Sequence, residues 1–137
     1  MDAMAARLQA GITAAAPPWP IQVYGRIVTN PSPPCLDMLP GPVDMEIASF
    51  DDLMGAELVV VRARIATPDN EASQEVLLEL MDREGDLSVA DILAGDPDLD
   101  GVGNITLTAR SELQPFDTAD GLLLGCTWTF QVIPWFS

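Results

Sequence analysis

The chain has 137 residues, with 21 acidic side chains set against six arginines and neither lysine nor histidine, for a formal charge of −15. Without histidine there is no His-based triad, no imidazole metal ligand and no ordinary near-neutral pH switch, and without lysine there is no Schiff base and no P-loop lysine. With 48% hydrophobic and 20% charged residues the chain is globular in composition, and one domain is expected, burying roughly two thirds of its unfolded surface.

The predicted elements begin with a helix over residues 3 to 15, where Met4, Leu8 and Ile12 recur at i+4, Ala5 and Ala15 widen the stripe and Asp2 suits an N-cap. Pro17, Pro18 and Pro20 stop it. Ile21 to Val28 then alternates like a strand, and residues 29 to 34, TNPSPP, form a rigid loop. Cys35 to Leu39 alternates again. Residues 43 to 55 put Val43, Met45 and Ile47 against Asp44 and Glu46, as in an exposed strand leading to a loop at Asp51 and Asp52.

The strongest strand is Glu57 to Thr67, with Val59, Val61, Ala63 and Ile65 on one face and Arg62 and Arg64 on the other behind Leu58 and Val60. Thr67 and Pro68 read as N-cap and first residue of a helix that runs to about Glu84, burying Val76, Leu77, Leu80 and Met81 and wetting Glu75, Glu79 and Asp82. Ser88 with Asp91 forms a variant capping box for a short helix, Leu87 can staple onto Ile92, and Gly95 and Pro97 close it. Two strands finish the chain, Gly103 to Leu113 and Leu122 to Trp135; the latter places Leu124, Cys126, Trp128, Phe130 and Val132 on one face against Thr127, Thr129 and Gln131.

Several clusters invite a chemical reading. Asp96, Asp98 and Asp100 before Gly101 match the first half of a calcium loop, but position 12 is Leu107 where a bidentate glutamate is needed, so a plain helix-to-strand turn is favoured. The pairs Asp44/Glu46 and Asp51/Asp52 are what 21 acids produce by chance. Ser88 and Ser111 lack a nucleophile-elbow context and any histidine base. Arg62 and Arg64 are expected to pair with carboxylates, within the monomer or across a subunit boundary, rather than to bind an anion. Cys35 and Cys126 are read as free thiols rather than a disulfide. Trp19, Trp135 and Phe136 either pack under the sheet or anchor a partner. No enzyme, cofactor or metal is expected.

The charge also bounds partners, because the chain lacks the cationic patches that bind nucleic acid or anionic lipid. Asp2 stands where a secretory signal wants positive charge and Arg7 interrupts the apolar stretch, and no apolar run of about 18 residues is present. A soluble, non-exported protein with no membrane contact is expected.

The alanine-rich first helix, Pro33-Pro34-Cys35 before a short strand, the ELVVVRARI strand and the stretch from Ser88 to Arg110 resemble the tail-terminator (tail completion) proteins of long flexible-tailed bacteriophages, the siphoviruses. Within that stretch the likeness lies in a serine-initiated short helix, an Asp-x-x-Leu-x-Gly turn (Asp96, Leu99, Gly101) and a strand, joined later by Leu124, Gly125, Trp128 and Phe130. Asp100-Gly101 stands where relatives often show a double glycine. The resemblance implies a single α+β domain over 1–137, helices on one face of a mostly antiparallel sheet. It also implies a virion protein assembled in the host cytoplasm as a ring, usually of six copies, that caps the head-proximal end of the tail tube, contacts the tail-tube and neck proteins and catalyses nothing. On such a ring, Asp44, Glu46, Asp51, Asp52, Met54 and the 96–100 turn are expected on tube-, neck- or lumen-facing surfaces, where negative potential discourages passing DNA from sticking. Arg62 and Arg64 are then expected at the subunit interface. The rival classes are another neck or minor tail component, an acidic DNA mimic and a small enzyme.

Overall fold

The period-2 apolar runs form a sheet and the i+4 stripes form helices that cover one of its faces. The computed structural model describes residues 2–17, 21–28, 35–40, 57–67, 70–94, 103–118 and 121–134. In chain order these give α1 (Asp2–Ala14), β1 (Gln22–Val23), β2 (Cys35–Pro40), β3 (Glu57–Ala66), α2 (Glu71–Met81), α3 (Val89–Ala94), β4 (Gly103–Arg110), β5 (Gln114–Thr118) and β6 (Gly121–Pro134). The fold is α+β, as expected. The expected strand at 43–47 lies outside the described residues.

The sheet runs β1-β2-β3-β6-β4, with β5 also paired to β6, and only the β1–β2 contact is parallel. The long strand β6 has β3 on one side and, on the other, β5 along its first half and β4 along its second. Between β4 and β5, Ser111 carries the ladder on. Its N–H donates to the Thr127 carbonyl at 2.8 Å and its hydroxyl accepts from the Thr127 N–H at 2.9 Å. Register partners Met38, Val61 and Trp128 mark the inner face. Asp37, Arg62 and Thr127 mark the outer one.

The inner face carries the core. Leu36, Met38, Val59, Val61, Trp128 and Phe130 are buried there beneath Leu8 and Ile12 of α1, Val76, Leu77 and Leu80 of α2 and Leu93 of α3. Gly125 is a close-approach glycine: a Cβ at this position would lie 1.7 Å from the Ala63 carbonyl oxygen, beside the irregularity between Arg64 and Ala66.

Several boundaries differ from expectation, each for a local reason. The 21–28 strand shortens to Gln22–Val23: beyond it the Tyr24 N–H donates to the Leu36 carbonyl (2.9 Å) and the Arg26 carbonyl accepts from the Met38 N–H (3.3 Å), and the Val28 N–H then donates to Asp37 on the outer face (2.9 Å). Helix α2 is capped by Asn70 rather than Thr67, with the Ser73 N–H donating to Asn70 Oδ1 at 3.1 Å. It ends at Met81, three residues earlier than expected, because Asp82 turns extended and its carbonyl accepts from the Ser88 hydroxyl at 2.6 Å. That same hydroxyl accepts from the Asp91 N–H at 3.1 Å and caps α3, whereas the Asp91 carboxylate reaches the Gly85 N–H, so the reciprocal half of the capping box is missing. Finally, the 103–113 strand ends at Arg110, and a further strand at 114–118, β5, follows that the sequence pattern does not predict.

Candidate functional site

The β2–β3 register sets Asp37 opposite Arg62, and alternation brings Arg64 to the same outer face. Asp37 is wholly buried. Its carboxylate accepts from Arg62 Nε at 3.0 Å, from the second Arg62 nitrogen, from Arg64 at 3.2 Å and from the Val28 N–H at 2.9 Å. The Val28 carbonyl in turn accepts from both guanidiniums, so residues 24–28 form a strap pinned across the sheet by one carboxylate and two arginines. The Arg62 side chain keeps 21% of its surface in solvent and that of Arg64 only 6%. Burial lowers the Arg64 pKa, with Asp37 opposing that shift, and Arg64 Nε–H has no acceptor. Leaving such a donor unsatisfied costs on the order of 1–3 kcal/mol.

The carboxylate pairing expected of both arginines is made within the monomer: their partner, Asp37, belongs to the same chain, Arg64 is buried, and Arg62 stays partly in solvent. Two cations and one anion are withdrawn into this cluster, leaving four arginines against twenty carboxylates for the rest of the chain. The chain is therefore more acidic outside the cluster than its net charge suggests.

A second concentration of charge sits on the helical layer. A groove of about 370 Å³ at the C-terminal end of α2 is lined by Glu79, Asp82, Glu84, Asp86, Ala15, Gly85 and Leu87. All four carboxylates are on exposed residues, and no basic residue occupies the last turn of α2, so the helix dipole adds to their field.

The remaining sequence candidates separate by position. Asp44, Glu46, Asp51, Asp52, Met54, Asp96, Asp98, Asp100, Trp19, Trp135 and Phe136 lie outside the described residues. Among the described residues no group of three or more cysteine, aspartate or glutamate side chains could hold a metal ion, and no helix is long and apolar enough to cross a membrane. Ser88 and Ser111 are engaged in the cap and the ladder just described. Cys35 pairs in register with Arg64 and Cys126 with Ala63, so the two thiols, both free and buried, stand on opposite faces of the sheet. Burial pushes the Cys126 thiol up to about 12 and also raises that of Cys35, where Asp37 adds to the effect.

Comparison with protein-family models finds no match, and no curated protein matches the chain. Sequence reasoning missed three features: Asp37 as the hub of the arginine pair, the acidic groove and the Gln9 amide. The first had a signal, since an acid between Leu36 and Met38 in an otherwise apolar strand asks for a cation, and Arg-x-Arg in the next strand supplies two.

Proposed function

We propose that the chain is a structural subunit of a phage tail, a terminator that assembles as a ring on the head-proximal end of the tail tube, stops its growth and presents a different face to the neck. The observation that supports this reading is the order of elements at residues 88–94 and 103–110. Ser88 caps a short helix, Val89–Ala94, and a sheet strand, Gly103–Arg110, follows. That is the serine-initiated helix and strand of the resemblance, within an α+β fold of the expected class. The mechanism is geometric: a ring complementary to the last tube layer on one side, and unlike it on the other, offers no seat to a further tube subunit. The acidic groove and the twenty carboxylates outside the arginine cluster suit a passage that DNA crosses without sticking.

The test is to polymerise tail-tube subunits of the same phage with and without the protein and to measure tube lengths by electron microscopy. Shorter tubes whose mean length falls as the protein is added support termination. Unchanged lengths together with binding to the assembled neck alone would transfer the protein to the neck.

A further inference from the structure

The edges of the sheet are treated unequally, and the difference points to a binding surface. At β1 the Gln9 side chain seals the edge: its Nε2 donates to the Ile21 carbonyl and its Oε1 accepts from the Val23 N–H, both at 2.8 Å, in the manner of a strand neighbour. At β5, Pro115 removes a backbone donor, and Glu112 and Asp117 are exposed beside it. On β4 the devices among the described residues are the bulge at Thr108, whose hydroxyl donates to the Thr129 carbonyl at 3.0 Å, and the lone charge of Arg110 at its end. This eight-residue strand pairs only with β6 among the described strands. It contains neither proline nor carboxylate, and Thr106, Thr108, Ala109 and Arg110 are exposed along it.

Charge selects the occupant. From Gly101 to Ser111 the sequence has no acid, and Arg110 is its one charge, in a chain of net charge −15. Two copies repel one another through most of their surface, but not through this strip. A strand that joins an edge must itself have a free edge, and among the described strands β2, β3 and β6 are internal, β1 is sealed and β5 is blunted. That leaves β4. We propose that β4 is a self-association edge that pairs antiparallel with β4 of a second copy of this chain about a two-fold axis, joining the two sheets into one. The contact does not rest on the tail-terminator reading, because a two-fold pairing joins two copies whereas a ring needs a head-to-tail contact.

Light scattering after size exclusion, on the full chain over a dilution series, is expected to show a monomer–dimer equilibrium. Thr106→Lys sets two ammonium groups near the axis and is expected to weaken the dimer at least roughly tenfold, with an unchanged circular-dichroism spectrum showing that the fold persists. In a separate experiment, Thr106→Cys is expected to give disulfide-linked dimers under mild oxidation, where the wild type, with both thiols buried, gives none. A chain that stays monomeric to its solubility limit overturns the proposal. So does a dimer that Thr106→Lys leaves intact, or larger closed particles that survive the same change; that last result would leave the ring reading standing.

Discussion

The outer-face cluster and the α2 groove handle charge in opposite ways. Around Asp37, a buried carboxylate draws in two guanidiniums, Arg64 almost wholly and Arg62 for the most part, and pairs with both, leaving only the Arg64 Nε–H without an acceptor. Around Glu79, Asp82, Glu84 and Asp86, four carboxylates crowd an exposed helix end with no basic residue in its last turn. In a chain with six arginines, placing two at one buried anion leaves four for the other twenty carboxylates, Arg7 and Arg83 among them on the helical side. Charge here is structural where it is scarce and buried, and available for partners where it is abundant and wet.

The largest effect should come from breaking the cluster at its hub. Asp37→Ala leaves two guanidiniums facing each other without an anion and is expected to destabilise the fold by about 3–5 kcal/mol in urea denaturation, releasing the strap at Val28. Gly125→Ala tests the backbone frame beside Arg64. Its new methyl group would collide with the Ala63 carbonyl, so a loss of at least about 3 kcal/mol is expected by the same measurement.

A pH dependence separates the buried sheet from the groove. The Cys126 thiol, raised from the ordinary 9.0 to about 12, stays protonated in the fold while the unfolded thiol ionises. A raised folded pKa gives stability that is complete below pH 9.0 and is lost as pH climbs toward about 12. The expected slope is up to about 1.4 kcal/mol per pH unit, with Cys35 adding in the same direction. Cys126→Val, followed by denaturation between those limits, should flatten the Cys126 part. The smallest effect belongs to the groove. Glu79→Gln with Asp86→Asn relieves repulsion between exposed groups and should stabilise by no more than about 0.5 kcal/mol, less at high salt.

The same contrast explains what was legible in the sequence. The apolar stripes of α1, α2, β3 and β6 were readable because burial on one face imposes a period, and Val59, Val61, Trp128 and Phe130 keep it without interruption. Boundaries governed by side-chain to backbone bonds were not. Asn70 rather than Thr67 caps α2, and Asp82 leaves the helix to meet Ser88, because each choice depends on a neighbour several residues away. The arginines are legible as partners of a carboxylate, within the monomer or across a boundary, but not as partners of Asp37, since that identity follows from strand register, which alternation alone does not fix. Strand β5 was missed for a related reason: Pro115 and Asp117 argue against a strand locally, and only the overhanging first half of β6 gives it a partner.

The central functional claim, that this acidic subunit ends a tail tube, is tested most directly by localisation. The protein, gold-labelled at an exposed residue of the helical face such as Glu75, would be added to growing tubes of its own phage's tail-tube subunit and viewed by electron microscopy. The account predicts label at one end of each tube and none along its length. Label distributed along the tube wall, or none on tubes at all, would contradict it.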